Sequence, residues 1–156
     1  MIKSYKKTKG DYFMITIKHT EDIHSTIYED ALAIRKEVFV TEQQVPLSLE
    51  VEDEELCVHF VLYDDNEPAA TVRLFPKDNS TYKIQRMAVL KQYRKKGYGR
   101  KIMIAAEEYA KNVGKTQTLL GAQTHALAFY ESMGYEAFGE EFLDAGIKHF
   151  NMKKEI

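Results

Sequence analysis

The feature that most constrains this chain is a strand-forming run that ends in a basic turn and continues directly as a helix. Ile84–Leu90 is apolar and rich in strand formers, the following turn contains Gly97 and Gly99, and helical periodicity begins at Arg100. One helix face is predicted to be buried; its residues are Ile102, Ala106, Tyr109 and Val113. A helix that opens out of such a turn leaves its first backbone N–H groups unpaired at the positive end of the helix dipole. The sequence therefore predicts an anion-binding turn.

The composition of this turn favours a phosphate as the anion. Gly97 and Gly99 let the main chain approach a phosphate without an intervening Cβ atom. Positive charge surrounds them, on Arg94, Lys95, Lys96, Arg100 and Lys101. A basic, solvated turn before a surface helix is the alternative that this motif alone leaves open.

Two common phosphate-binding fingerprints do not fit the turn. A dinucleotide-binding turn needs a third glycine, and Ile102 occupies that position. A nucleoside-triphosphate loop needs Gly-Lys-Ser or Gly-Lys-Thr, whereas Gly97 is followed by Tyr98. What is left is an Arg-x-x-Gly-x-Gly pattern that starts at Arg94, directly after a strand.

A second motif follows at Thr118–Ala122, which is typical of a short buried strand. Gln123 and Thr124 then turn the chain, and a helix is predicted from His125 to a closing Gly134. Within it the chain reads Ala-x-x-Phe-Tyr-x-x-x-Gly-Tyr from Ala126 to Tyr135. Two motifs in this order are more specific than either alone.

Together these motifs resemble the GNAT superfamily of N-acetyltransferases. The sequence around these motifs is similar to that of the small bacterial branch labelled YjcF-like or ElaA-like, and the similarity covers about residues 14 to 153. The resemblance implies an α/β fold with a mixed, mostly antiparallel central sheet, a splayed parallel pair and flanking helices. It also implies that the chain uses acetyl-CoA as co-substrate and transfers the acetyl group to an amine.

The resemblance implies a set of cofactor contacts. The pyrophosphate of acetyl-CoA would lie in the basic turn, and the pantetheine arm would pair with the backbone of the bulged strand before it. A backbone N–H near Val89 would polarise the thioester carbonyl. The residues implied to bind the cofactor are Met87, Ala88, Val89, Arg94, Lys95, Lys96, Gly97, Tyr98, Gly99, Arg100, Gln123 and Phe129.

Catalysis by direct attack of the amine in a ternary complex needs a proton donor for the CoA thiolate, and Tyr130 is the candidate. In the family the tyrosine of the Phe-Tyr pair lies near the sulfur. A phenol with a pKa of about 10 is protonated at neutral pH and can donate to a thiolate. A helix tyrosine packed into the sheet is the structural alternative for Tyr130.

A base is also needed, because an alkyl amine is mostly protonated at neutral pH. Glu42 and His125 are the preferred candidates, and His125 precedes Tyr130 on the same predicted helix. Asp53, His59 and His149 stay open as alternatives.

The order of predicted elements agrees with this fold. A strand at Met14–Lys18 precedes a helix capped by Thr20, whose core face contains Ile23, Ile27, Ala31, Ile34 and Val38. A hairpin is predicted over 56–75, and two last strands at 136–138 and 147–152 are joined by an acidic loop with Glu140, Glu141 and Asp144. Residues 1–12 are predicted to be a flexible extension, and 13–156 a single domain.

The most acidic segment is Leu47–Glu55. Its simplest interpretation is a solvated loop. The functional alternative is a negative rim that attracts a cationic amine.

Charge and cysteine content exclude several classes of protein. The formal net charge is -2, and six of the 22 lysines and arginines lie between Lys91 and Lys101, so positive charge is local and does not favour a nucleic-acid partner. The single cysteine, Cys57, excludes an internal disulfide and a cysteine metal cluster. It favours a cytoplasmic location, and no membrane span, signal peptide or metal site is predicted.

Other functions stay open at this stage. A non-catalytic protein that binds acetyl-CoA as a sensor or regulatory module would need the same turn. A DNA-binding turn would show strong salt dependence. The sequence ranks no amine acceptor, and a homodimer is one open choice of oligomeric state.

Overall fold

Eight strands form one sheet within the described part of the chain. The structure is a computed structural model that describes residues 2–8 and 11–156, with side chains from residue 14 onward. The strands are β1 Ile2–Thr8, β2 Asp11–Thr20, β3 Val58–Asp64, β4 Glu67–Pro76, β5 Thr81–Val89, β6 Gln117–Gln123, β7 Glu136–Asp144 and β8 Ile147–Glu155. Their order across the sheet is β1-β2-β3-β4-β5-β6-β8-β7.

Helices cover both faces of this sheet. They are α1 Thr26–Arg35 with a π-helical continuation Lys36–Glu42, the one-turn α2 Leu47–Glu50, α3 Tyr98–Asn112 and α4 Leu127–Glu131. Successive side chains of a strand point to opposite faces. Accordingly Val61 of β3 packs in the core under α1, while Phe60 packs in the core under α3. Every residue of β3 is therefore buried.

The predicted mixed sheet is confirmed. Every described strand pair is antiparallel except β5 with β6. Parallel pairing runs from Thr81 opposite Gln117 to Ile84 opposite Leu120 and then stops, although both strands continue. The two strands therefore separate over their C-terminal halves.

A bulge in β5 lies beside this separation. Thr71 pairs with Ala88 and Arg73 with Gln85, so Val72 faces both Arg86 and Met87. Arg86 adopts a left-handed conformation with φ 57°. An extra residue of this kind bends a strand and redirects its side chains. The bulge that the resemblance implied is thus present at Arg86 and Met87.

The first helix begins later than predicted. Ser25, not Thr20, is the N-cap of α1, and its side chain accepts a hydrogen bond from the Tyr28 N–H. Thr20 ends β2, and its hydroxyl accepts from the Asp22 N–H in the intervening turn. Thr20 and Ser25 can both cap a helix. Because β2 continues to Thr20, the helix can begin only after this residue, and Ser25 becomes the cap. The predicted core face is correct for Ala31, Ile34 and Val38.

The helix after the basic turn also differs in its limits. α3 begins at Tyr98 rather than Arg100, directly after Gly97 with φ 78°. Val113, predicted on the buried face, lies just beyond the helix and is 49% exposed. Ala110 is fully buried instead, because the buried face turns slowly around an α-helix.

The N-terminal segment forms a strand where the sequence predicted a flexible extension. Ile2–Thr8 pairs antiparallel with β2, with Ile2 opposite Thr16. Edge strands pair through main-chain groups and are often lysine-rich, so side-chain periodicity gives little signal for them. Positions 1, 9 and 10 lie outside the described residues, and a single domain over 13–156 stays a prediction.

The last hairpin is longer than predicted. β7 continues through the segment that was predicted to be an acidic loop and includes Glu140, Glu141 and Asp144. Its pairing with β8 shifts register between Phe138 and Phe142. This irregularity interrupts the alternation by which a strand is recognised in sequence.

Candidate active site

A cavity of about 580 Å³ lies where β5 and β6 separate. Its walls come from β5, β6, the π-helical segment, α2 and the β7–β8 hairpin. Predicted site residues that line it are Glu42, Met87, Ala88, Val89, Arg94, Gln123, His125 and Tyr130. The structure thus brings the proposed catalytic residues and the strand side of the cofactor set together.

The remaining predicted residues lie in or beside the turn, outside this cavity. They are Lys95, Lys96, Gly97, Tyr98, Gly99, Arg100 and Phe129. Gly99 connects the two groups, because a Cβ atom there would lie 3.5 Å from Phe129 Cζ and 3.7 Å from Met87 Cε. The start of α3 is therefore packed closely against β5 and α4.

The start of α3 has the features of an anion site. No side chain among the described residues caps it, and Gly97 holds a left-handed conformation at φ 78°. The first N–H groups of this fifteen-residue helix are therefore available to a ligand. Lys95 precedes it with φ 66° and an exposed side chain.

Arg94 is engaged with protein groups rather than directed into solvent. Its Nε donates to the Val89 carbonyl over 2.9 Å, and Nη2 donates to both Glu42 carboxylate oxygens over 3.1 and 3.0 Å. The side chains of Arg94 and Glu42 are 40% and 32% exposed. Arg94 therefore links the end of β5 to the π-helical segment.

Other basic turn residues are partly engaged as well. Arg100 donates to the Ser132 hydroxyl of the α4 region over 2.7 Å. Lys96 lies 3.9 Å from an Asp64 carboxylate oxygen. Tyr98 is buried, and its hydroxyl donates to Asp64 over 2.6 Å. Burial and, after it, this hydrogen bond raise the pKa of Tyr98. The side chain of Tyr98 is therefore structural, and only its backbone N–H faces the turn.

Tyr130 is 8% exposed and lines the cavity. Its ring packs against Phe129 and Tyr135 with centroid distances of 5.0 and 6.0 Å. The Tyr130 hydroxyl makes no hydrogen bond with residues 14–156. Burial raises the pKa of Tyr130 to about 12, so the phenol stays protonated throughout the physiological range.

The five candidate bases separate into two groups. Glu42, His125 and His149 line the cavity, whereas Asp53 and His59 do not. Glu42 is paired with Arg94, and His125 is exposed at the start of the segment leading to α4. His149 uses Nδ1 to bind the Ile147 carbonyl over 2.7 Å and stacks on Phe142.

His59 is a core residue. It is fully buried, and its Nε2 donates to the Glu54 carbonyl over 2.8 Å. Burial lowers the pKa of His59, and Nδ1 has no partner among the described residues. A neutral imidazole in this place contributes to packing and not to amine deprotonation.

Sequence reasoning missed a buried ionic cluster behind the cavity wall. Arg35 of α1 binds both Glu50 and Glu54, with Nε 2.8 Å from Glu50 Oε1. Arg73 of β4 donates to Glu54 Oε2 over 2.9 Å and to the carbonyl of Glu52 over 2.6 Å. The signal in the sequence was Arg35 itself, next to Ile34 on the apolar face of the helix.

The prediction of a solvated acidic loop at Leu47–Glu55 is therefore wrong for its central residues. Glu50 and Glu54 are 2% and 5% exposed, while Glu52, Asp53 and Glu55 are exposed. Buried carboxylates are tolerated where guanidinium groups pair with them. The negative-rim alternative fails for the same two residues, since their charge is neutralised inside the protein.

A second bridge crosses the separation between the strands. Gln123 Nε2 at the end of β6 donates to Gln43 Oε1 over 3.0 Å. Glu42, the residue before Gln43, is connected to β5 through Arg94, which binds both Glu42 and the Val89 carbonyl. Two adjacent residues at the end of a π-helical segment therefore contact both separated strands. Sequence reasoning missed Gln43, for which only the adjacent Glu42 gave a signal.

Neither a metal centre nor a membrane span is found in the described ranges. Residues 14–156 contain no group of three or more histidine, cysteine, aspartate or glutamate side chains placed to hold a metal ion. No helix of the described chain is both long and apolar enough to cross a bilayer.

The separated strands, the bulge and the uncapped helix form the architecture that the sequence resemblance implied. Residues 21–156 match the family model of the acetyltransferase (GNAT) domain. The uncharacterized N-acetyltransferase YjcF of Bacillus subtilis is 43% identical over 129 residues, which cover 81% of this chain and 91% of YjcF.

Two solved structures are also similar. A Lactobacillus plantarum protein, assigned only provisionally as an N-acetyltransferase, has 30% identity and a TM-score of 0.83, covering 90% of this chain and 97% of that one. Escherichia coli ElaA has 26% identity and a TM-score of 0.79, and the match covers 91% of this chain and 100% of ElaA. The chain belongs to the GNAT family of acetyltransferases.

Proposed function

We propose that this protein transfers the acetyl group of acetyl-CoA to a primary amine by direct attack in a ternary complex. The observation that carries this proposal is the position of Tyr130 in the cavity between β5 and β6, packed on Phe129, which contacts Gly99 at the uncapped start of α3. A diphosphate at the helix start and a thioester near Tyr130 are a consistent pair of ligand contacts.

The turn and β5 supply the cofactor contacts in this proposal. Backbone N–H groups at the start of α3 and the side chain of Lys95 bind the pyrophosphate. The backbone from Met87 to Val89 runs along the pantetheine arm. Arg94 holds the end of β5 in place through its hydrogen bond to the Val89 carbonyl.

Tyr130 gives its proton to the departing sulfur. Its raised pKa keeps the proton available, and the site that disfavours a tyrosinate also disfavours a buried thiolate. The proton that the attacking amine loses returns to Tyr130 through the base and solvent, so the products are the acetylated amine, the neutral thiol and the neutral phenol, and no unpaired anion stays buried. The hydroxyl has no competing partner among residues 14–156.

Glu42 and His125 are the candidates that accept the amine proton, because both line the cavity. Glu42 must share its charge with Arg94, whereas His125 is accessible to water. The pH–rate profiles of E42Q and H125Q distinguish them, since loss of the true base removes the acidic limb of the profile.

The test of the function combines calorimetry with free-thiol release. The protein is titrated with acetyl-CoA and then incubated with acetyl-CoA and a panel of primary amines. Saturable binding and amine-dependent thiol release support the proposal. Binding without thiol release on any amine would instead support an acetyl-CoA sensor, and no binding would overturn both. A cytoplasmic location and a homodimer stay predictions.

A further inference from the structure

The cavity wall on β5 has more positive charge than the neighbouring carboxylates neutralise. In the buried cluster behind it, Glu50 and Glu54 are matched by Arg35 and Arg73. At the other side of the cavity Arg94 neutralises Glu42. Two further cations line the cavity, and both are on β5; one of them shares Glu50 with Arg35.

The first of these cations is Arg86, which lies at the bulge. Its Nη2 donates to the Leu49 carbonyl over 2.9 Å, and its Nε lies 3.4 Å from both the carbonyl oxygen and Oε2 of Glu50. Nη1 has no hydrogen bond with residues 14–156, and 23% of the side chain is exposed. One edge of the guanidinium is therefore held by protein, and the group still reaches the cavity.

The backbone of Arg86 is strained to hold this position. Its φ of 57° is uncommon for a residue with a long side chain. Such a conformation is unfavourable by itself and persists where the surrounding structure imposes it, often at ligand sites.

The second cation is Lys83, which lines the same cavity and is half-buried. It makes no ion pair or hydrogen bond with any residue from 14 to 156. Burial lowers the pKa of Arg86, while Glu50 and, more weakly, Asp144 at the end of β7 favour its charged form. Glu50 is already paired with Arg35, so Asp144 is the lining carboxylate left to match these two cations. Two cations against one carboxylate leave an excess positive charge.

We propose that the amine acceptor also has a carboxylate, which Arg86 binds with the help of Lys83, so that the substrates are amino acids. This inference rests on the proposed acetyl transfer. A guanidinium presents a planar set of donors that fits a carboxylate, and the bond is stronger where water is partly excluded. An amine without an anionic group would leave the excess positive charge of the β5 wall unmatched.

The test compares each of several amino acids with its own carboxamide as acceptor. Rates of thiol release are corrected for the fraction of neutral amine, which differs between the two. Wild-type protein is expected to favour the amino acid by about ten-fold or more in kcat/KM, the size typical of a charge-assisted contact. R86Q should bring this ratio close to one, and R86K and K83Q should lower it partly.

K153Q is the matched control. Lys153 is an exposed lysine of β8 that does not line the cavity, so the ratio and the rates should stay at wild-type values. Equal wild-type rates for acids and carboxamides would overturn the inference. So would an R86Q variant that slows both equally, since that result assigns Arg86 to support of α2 alone.

A binding measurement separates this inference from the proposed function. The CoA-loaded protein is titrated with an N-acetyl amino acid and with its carboxamide, which requires no turnover. Tighter binding of the acid by wild type but not by R86Q supports the carboxylate site even if no amine is acetylated. Acetylation of amines with no such difference would retain the function and overturn the inference.

Discussion

At the scale of single residues, Tyr130 and Tyr135 show how similar side chains in one motif take different tasks. Both are buried. The Tyr135 hydroxyl contacts the Thr118 hydroxyl and donates to Glu107 Oε2 over 3.1 Å. The Tyr130 hydroxyl has no such partner among residues 14–156 and borders the cavity. Tyr135 is therefore part of the packing, and Tyr130 is available for chemistry.

The variants Y130F and Y135F test this division. We expect Y130F to lower kcat by about ten-fold or more, because general acids contribute at least that much, with unchanged acetyl-CoA affinity. Y135F should lower the melting temperature, because it leaves buried polar groups without a partner. Steady-state kinetics, calorimetry and thermal unfolding measure these effects. Unchanged turnover of Y130F would remove its proposed role.

At the scale of elements, the glycines at the two ends of α3 have similar backbones but different surroundings. Gly97 at the start has φ 78°, and Gly114 after the end has φ 90°. Gly97 adjoins the proposed pyrophosphate site, while a Cβ at Gly114 would meet nothing within 4 Å. The pair therefore separates the conformational cost of a left-handed residue from an effect on ligand binding.

We expect G97A and G114A to be destabilised by similar amounts, about 1 to 2 kcal/mol, because L-residues are strained in this conformation. Only G97A should also weaken acetyl-CoA binding, since it changes the path of the first amides of α3. Chemical denaturation and calorimetry measure the two effects. If G114A weakened binding as much as G97A, the effect would come from helix stability and not from the turn.

At the scale of the whole molecule, the buried ionic cluster holds the segment 47–56 against the sheet. Arg35 of α1 and Arg73 of β4 both bind Glu54. Arg86 of β5 holds α2 by donating a hydrogen bond to the carbonyl of Leu49. Removing one partner of a buried pair typically costs about 3 to 5 kcal/mol. The cluster also contacts His59 through Glu54. The titration of His59 makes the folding stability depend on pH.

Burial lowers the pKa of His59, whereas a histidine in the unfolded chain has a pKa of about 6.5. Below that pH the unfolded chain binds a proton that the folded chain does not. The free energy of unfolding is therefore highest above the pKa of the unfolded histidine and falls as the pH decreases below it. We expect the melting temperature to fall between about pH 7.5 and 5.5, and less so in H59Q, whose amide keeps a donor for the Glu54 carbonyl. H24Q, at an exposed site, should follow wild type; identical slopes in H59Q and wild type would contradict the prediction.

The mixed sheet with its parallel pair was implied by the family resemblance. Local sequence patterns alone determined the strand, turn and helix around Gly97 and the hairpin of β3 and β4. These features follow from spacing along the chain and from turn chemistry, so a reader of the sequence can find them. The resemblance to the GNAT family came from the same short motifs and is confirmed by the match over residues 21–156.

The tertiary structure decided which charges are buried and which polar groups meet. Arg35 meets Glu54 across 19 positions, Arg86 meets Leu49 across 37, and Arg94 meets Glu42 across 52. In sequence, Glu50 and Glu54 look like solvated acids, and Arg94 looks like a free phosphate ligand. Because a charge is buried or exposed according to what the fold places against it, only the assembled sheet and helices could assign these residues.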